Sequence, residues 1–287
     1  MHATKRGVVV AMLAAALALA GCKAGGGGIK GTAGGSASGG GTPTTGATTA
    51  SSKPVVPEAL LSSSVARTMS AGTARIAMRT QSTEAALTAD GVIDFRKPQA
   101  LIHLHSDTLD ATAIYDRDVV YEKAAPFQRA FGKPWLKLDI SKLVGKGGSV
   151  VRNQAAQAAP SDPSQGLAFV YGMGGVKDLG GDTVRGVATR HYRGVVDMRK
   201  AAARIPNPRL RGGIQQLYGS LHITNVPTDV WLDAQGRVRR ITYSYEVTDA
   251  GALNGHSSVT NEYYDFGTPV HIAIPPASQV APFNLFG

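Results

Sequence analysis

Apolar positions along the chain fall into three regimes. Residues 7–20 are one unbroken apolar run, residues 23–57 have no apolar period, and from residue 58 onward the apolar positions become periodic. Leu61, Val65 and Met69 recur at four-residue spacing, which predicts an amphipathic helix over 58–69, directly after Pro57. After it the period changes to two. Ile76 and Met78 alternate with Arg75, Ala77 and Arg79, and residues 91–95 and 100–105 flank the turn 96–99 as a hairpin. Residues 112–115 and 119–122 flank 116–118 as another. The stretch 135–140 alternates cleanly and puts Leu136, Leu138 and Ile140 on one face.

Residues 144–160 are polar and rich in small residues, which predicts a long loop. Asp162, Pro163 and Gln165 then read as N-cap, first-turn proline and N3 partner of a helix carrying Leu167, Val170 and Tyr171. Strands are expected over 176–179 and 183–196, a short helix over 198–204 capped by Asp197, and a second helix over 210–218. Residues 228–233 and 237–247 form a hairpin turning on 234–236, and strands 258–266 and 270–274 close the series before Pro275 and Pro276. No regular strand–helix–strand alternation occurs, so antiparallel pairing dominates. The predicted fold class is α+β: one large curved antiparallel sheet of about ten strands with a few helices on its concave face. So long a sheet curls, and helices laid across its hollow side can enclose apolar space.

The first apolar run changes the picture of where this domain works. Lys5 and Arg6 precede it, and Cys22, the single cysteine of the 287 residues, follows it. The run is shorter than the about 20 residues of a membrane span. Leu19-Ala20-Gly21-Cys22 resembles the lipobox of bacterial lipoproteins, which implies cleavage before Cys22 and a diacylglyceryl (palmitate-type) lipid anchor on its sulfur. The alternative is an ordinary secretory signal with an incidental cysteine. Two acyl chains, at about 0.8 kcal/mol per buried methylene, hold where one would be marginal. The expected organisation is a signal peptide over 1–21, a lipidated Cys22 with a Gly/Ser/Thr/Ala stalk over 22–57, and one lipid-binding domain over 58–287, tethered on the extracytoplasmic face of the cell membrane. The stalk cannot offset its ordering entropy by burial and spans roughly 30 Å as a coil. Gly26, Gly28 and Gly31 match a dinucleotide-binding spacing, but no strand precedes them and no helix follows.

Charge and chemistry narrow the function further. The formal charge is +10, concentrated at Arg190, Arg193, Arg199, Lys200 and Arg204 and again at Arg237, Arg239 and Arg240. Outside the cell the acidic partners are anionic head groups and cell-wall polymers, not nucleic acid; a solvated basic surface is the alternative. The chain lacks the sequence signatures of serine hydrolases, zinc proteases, β-lactamases and P-loop enzymes, so no catalytic residue, cofactor or metal is expected. His103 and His105 share a strand face near Asp107, and His191-Tyr192 lies on another strand; both read as polar strand surface before they read as chemistry. Tyr243, Tyr245, Tyr264 and Phe266 sit at period two. The candidate cavity-lining residues are Ile76, Met78, Leu136, Leu138, Ile140, Ile241, Tyr243 and Tyr245.

Three stretches carry a family resemblance: RGVATRHYRGVVDMRKA (185–201), VPTDVWLDAQGRVRRITY (226–243) and YYDFGTPVHIAIPP (263–276). They are similar to the actinobacterial LppX/LprG-type lipoproteins, whose fold is the half-barrel of the LolA-like lipoprotein carriers. The resemblance implies a strand leading into a helix, a Trp-bearing hairpin and a closing strand. It also implies an apolar cavity for the acyl chains of a lipid or glycolipid, and it brings no catalytic residues. The expected function is a lipoprotein that binds or shuttles such chains. A non-enzymatic sensor or scaffold binding a protein partner in the cell envelope is the second reading, since sigma-factor regulators share the half-barrel.

Overall fold

The computed structural model describes residues 57–82, 86–107, 109–139, 165–204, 211–212, 215, 223–247 and 255–282. Ile140, the polar stretch 144–160, Asp162 and most of the expected helix 210–218 lie outside the described residues, as do Cys22 and the whole leader and stalk.

The chain opens with α1 (Pro57–Ser70) and continues through β1 (Thr73–Ser82), β2 (Ala86–Asp94), β3 (Gln99–Ser106), β4 (Leu109–Asp116) and β5 (Val119–Ala124). Then come α2 (Ala125–Phe131), β6 (Trp135–Asp139), α3 (Gln165–Ala168) with a 3₁₀ turn (Phe169–Gly172), β7 (Met173–Val184) and β8 (Val187–Asp197). The remaining elements are α4 (Met198–Ala203), β9 (Asn225–Asp233), β10 (Val238–Val247), β11 (Gly255–Tyr264) and β12 (Val280–Pro282). All described strands join one 12-stranded sheet in the order β12-β6-β5-β4-β3-β2-β1-β11-β10-β9-β8-β7. Two meanders, β1 to β6 and β7 to β11, therefore meet where β1 pairs with β11. Every pairing is antiparallel except that of β12 with β6. The sheet is open, with β7 and β12 as its edges.

The strands depart from expectation at two places, each with an identifiable cause. The expected strand 183–196 is interrupted by a turn: Arg185 and Gly186 take φ of 49° and 76°, and Val184 pairs with Val187. Two consecutive left-handed residues are the signature of the tightest hairpin turn, and glycine makes the second position strain-free. The expected strand 176–179 is thus part of a longer one, β7, bulged at two places along the exposed edge. The expected strand 270–274 is absent, because β1 and β10 already occupy both edges of β11. The closing strand is β12, which reaches the far edge of the sheet.

Helix α1 buries Leu61, Ser64, Val65 and Thr68 but leaves Met69 43% exposed. A strict four-residue stripe drifts off the core of a helix that turns every 3.6 residues, so Thr68, and not Met69, completes the inner face. The Thr68 hydroxyl donates to the Ser64 carbonyl at 2.7 Å and accepts from the Val238 amide at 2.8 Å. Val238 adjoins a bulge in the β9–β10 ladder, so the helix ties that hairpin down through a buried hydroxyl. At α4, Asp197 accepts from the amides of Arg199 and Lys200, as its N-cap position demands. Gly172 lets the 3₁₀ turn lie directly against α4: a Cβ there would meet the Asp197 carbonyl at 2.7 Å and the Ala201 amide at 2.9 Å.

Candidate functional site

The ladder registers define the inner face of the sheet residue by residue. Leu138 opposes Val120, Leu136 opposes Glu122, and Glu122 opposes Ala113. Ile76 stands between Gly91 and Tyr263, Ile241 between Val230 and Asn261, and Tyr243 between Thr228 and Val259. Ile76, Leu136, Leu138 and Ile241 are at most 1% exposed and belong to the close-packed core. Met78, Tyr243 and Tyr245 lie on the same face but are only half-buried, as are Leu104, Leu109 and Ala111 of β3 and β4. The eight predicted residues, Ile140 aside, thus share one face and divide into a packed floor and a half-open apolar shelf.

On that shelf lies a small apolar hollow lined by Phe169, Val196, Met198, Val226, Thr228, Tyr243 and Tyr245. Its volume is about 10 Å³, room for a single water. Phe169, on the 3₁₀ turn, closes it by meeting Tyr243 edge to face at 5.1 Å, and Tyr245 stacks beside Tyr243 at 6.5 Å. A larger open groove of about 370 Å³ runs between α1 and the β8–β9 strands, past Leu60, Arg67, Arg190, Tyr192 and Asp233. Arg190 is engaged by Asp178 at 2.6 Å, and Asp233 is held by two arginines at 2.9 Å each. Such paired charge does not suit an acyl chain, so the smaller apolar hollow is the better candidate.

The basic clusters resolve differently from one another. Arg237 and Arg239 both bind the buried Asp233 carboxylate and cover the ring of Phe266 at 4.5 and 4.8 Å. Arg240 pairs with Glu262 at 2.6 Å and lies over Trp231. Arg193 pairs with Asp229 at 2.8 Å. Arg237, Arg239 and Arg240 thus serve the fold, while Arg193 stays largely exposed. On α4, Arg199 and Lys200 are likewise exposed, Arg199 at 3.8 Å from Asp197, while Met198 of the same helix lines the hollow. His191 stacks on Trp231 at 4.2 Å, with Nε2 at 2.6 Å from Asp229 Oδ1. His105 Nδ1 sits 2.7 Å from Asp110, and His103 lies beside Thr112. Among the described residues no group of three or more metal-ligating side chains converges.

Sequence reading passed over Glu122. It follows Val120 and precedes Ala124 at strand period, both buried and apolar, so parity alone placed a carboxyl on the inner face.

No family model matches the chain. Among curated proteins it is similar to an uncharacterized 31.2 kDa protein of the rplA-rplJ intergenic region of Streptomyces griseus, 31% identical over 159 residues. That match covers 53% of this chain and 49% of the relative, so the chain spans about half the length of the curated relative it matches. Solved structures that match include the lipoprotein LppX of Mycobacterium tuberculosis, at a TM-score of 0.46 and 14% identity, covering 77% of this chain and all (100%) of LppX. LprF of Mycobacterium bovis matches at a TM-score of 0.43 and 16% identity, covering 76% of this chain and 96% of LprF. The structural neighbours thus include the LppX-type lipoproteins that the three sequence stretches resemble.

Proposed function

We propose that the protein is an extracytoplasmic lipoprotein, held at the cell membrane through Cys22, that binds or shuttles lipid or glycolipid acyl chains on the inner face of its sheet without catalysing a reaction. The observation that carries this reading is the half-open apolar shelf, where Met78, Leu104, Leu109, Tyr243 and Tyr245 continue the core face beyond its fully packed part. Apolar surface left partly open stands to gain about 25 cal/mol per Å² when a chain covers it. The hollow beneath Phe169 is too small for a chain, so loading requires that ring and its 3₁₀ turn to move aside. Helix α4 borders the hollow with Arg199 and Lys200 turned to solvent, which suits an approach to anionic head groups at about 1 kcal/mol per charge.

Two measurements test this. Native mass spectrometry of the domain from Glu58 onward, purified without detergent, should find lipid near stoichiometric levels, and Phe169→Ala should raise that occupancy. The substitution should cost about 2 kcal/mol, less than for a fully buried ring because Phe169 is half-exposed. Wild-type and variant both free of lipid would remove the carrier reading in favour of a protein-partner scaffold. Anchoring has its own test: Cys22→Ser should yield a precursor or released form. A mature-sized Cys22→Ser protein that still enters detergent would exclude the lipobox reading.

A further inference from the structure

The Glu122 carboxyl stands on the inner face without a described partner. No hydrogen bond or ion pair engages it among the described residues, and burial alone pushes it up to about 7. Among the described residues its surroundings are apolar with one exception. From β4, the inner-face residues are Leu109, Ala111, Ala113 and Tyr115; from β6, Leu136 and Leu138; from its own strand, Val120 and Ala124. α2 contributes the buried Phe127. Tyr115 is the one titratable group in this set. The nearby charges sit at the opposite strand parity: Lys123 lies over Trp135 and Lys137 over Tyr121, both on the other face of the sheet, and Asp116 and Asp139 share that parity. Arg129 of α2 is exposed. Glu122 is nonetheless half-buried and not sealed, so it borders the same shelf as Leu109 and Ala111.

The geometry points to Glu122 as a proton-linked control on ligand hold: an acyl chain laid along β3 to β6 binds when Glu122 is neutral and is weakened when it ionises. This deepens the carrier reading and rests on it. An acyl chain cannot hydrogen-bond or counter a carboxylate; it only displaces the water that solvates one. Covering Glu122 with hydrocarbon therefore favours its neutral form further, and binding takes up a proton from solvent at the Glu122 carboxyl. Linkage then fixes the sign. Affinity is greatest below the ligand-free titration point and falls as pH rises through and beyond it. A ligand that set an ammonium or another cation at Glu122 would show the reverse.

The test is binding of a pyrene-acyl phosphatidylcholine, whose head group does not titrate in this range, to the intact chain from about pH 6 to about pH 8.5. Wild-type affinity should fall roughly tenfold across that range, while Glu122→Gln should bind with no such slope. Glu122→Leu should bind at pH 8.5 at least as tightly as wild type does at pH 6. A wild type that is flat with pH, one that tightens with pH, or a Glu122→Gln protein with the wild-type slope each overturns the control while leaving the carrier reading intact. Absence of binding by all three proteins at every pH overturns the carrier reading itself and this inference with it.

Discussion

Replacing Leu138 by aspartate is expected to leave the domain unfolded or close to it. Leu138 is 1% exposed, faces Val120 across the β5–β6 ladder, and sits in the core cluster with Leu136. The substitution removes a buried isobutyl group, which costs about 2–5 kcal/mol through lost transfer energy and the cavity left behind. It also places an ionisable group where no described cation shares the face. Desolvating that charge brings the total above about 4 kcal/mol, a large share of the 5–15 kcal/mol that holds a domain together. Leu138→Met, of similar volume, should cost less than about 1.5 kcal/mol and separates the effect of charge from that of any change at the site. Denaturant midpoints for the two variants decide it. An Leu138→Asp protein that melts with the wild type would mean that Leu138 does not face the core.

That residue also shows what the sequence made legible. Leu136 and Leu138 alternate with Lys137 and Asp139, so strand parity and burial were both written in the local pattern. The same holds for Ile76 and Ile241, and for the Asp197 cap of α4. What local pattern does not contain is the competition for partners. Residues 270–274 alternate as a strand should, yet both edges of β11 are taken, and an unpaired segment cannot be a strand whatever its period. The turn at Arg185-Gly186 was masked because β7 is rich in glycine and carries little apolar signal of its own. Met69 fell off the helix stripe because a spacing of four is only an approximation to 3.6.

The candidate site was legible in outline and not in depth. Period two put the predicted residues on one face, but could not tell the packed floor from the half-open shelf, because that depends on where α3 and the 3₁₀ turn come to rest. Glu122 was visible in the string Val119-Val120-Tyr121-Glu122-Lys123-Ala124, where a carboxyl interrupts the apolar parity of Val120 and Ala124. Parity conflicts of this kind are informative because a buried charge is costly, so a fold that retains one places it beside water, a partner or a ligand.

The basic hairpin has its charges neutralised from within, and a variant at Asp233 should reveal it. The Asp233 side chain is 1% exposed, and it accepts from the amides of Gln235 and Arg237 and from the guanidiniums of Arg237 and Arg239. Burial pushes its carboxyl up, but the Arg237 amide and then the two guanidiniums outweigh that and hold it below the usual 3.8. Asp233→Ala should cost about 3–5 kcal/mol, since it strands two guanidiniums and two turn amides at once. The melting temperature should drop by roughly 10 °C for a domain of this size. The pH dependence carries the sign. A lowered carboxyl contributes stability that is present above its unfolded value of 3.8 and is lost as pH falls through the folded value. The gap between wild type and Asp233→Asn, which keeps an acceptor oxygen but no charge, should therefore be full at neutral pH and close in acid. A gap that persists unchanged at low pH would mean the arginines contribute packing on Phe266 and not charge. Freed of Asp233, Arg237 and Arg239 would also become available to anionic vesicles, so the variant should bind them more tightly than the wild type does, whose exposed basic charge near the hollow is carried by α4.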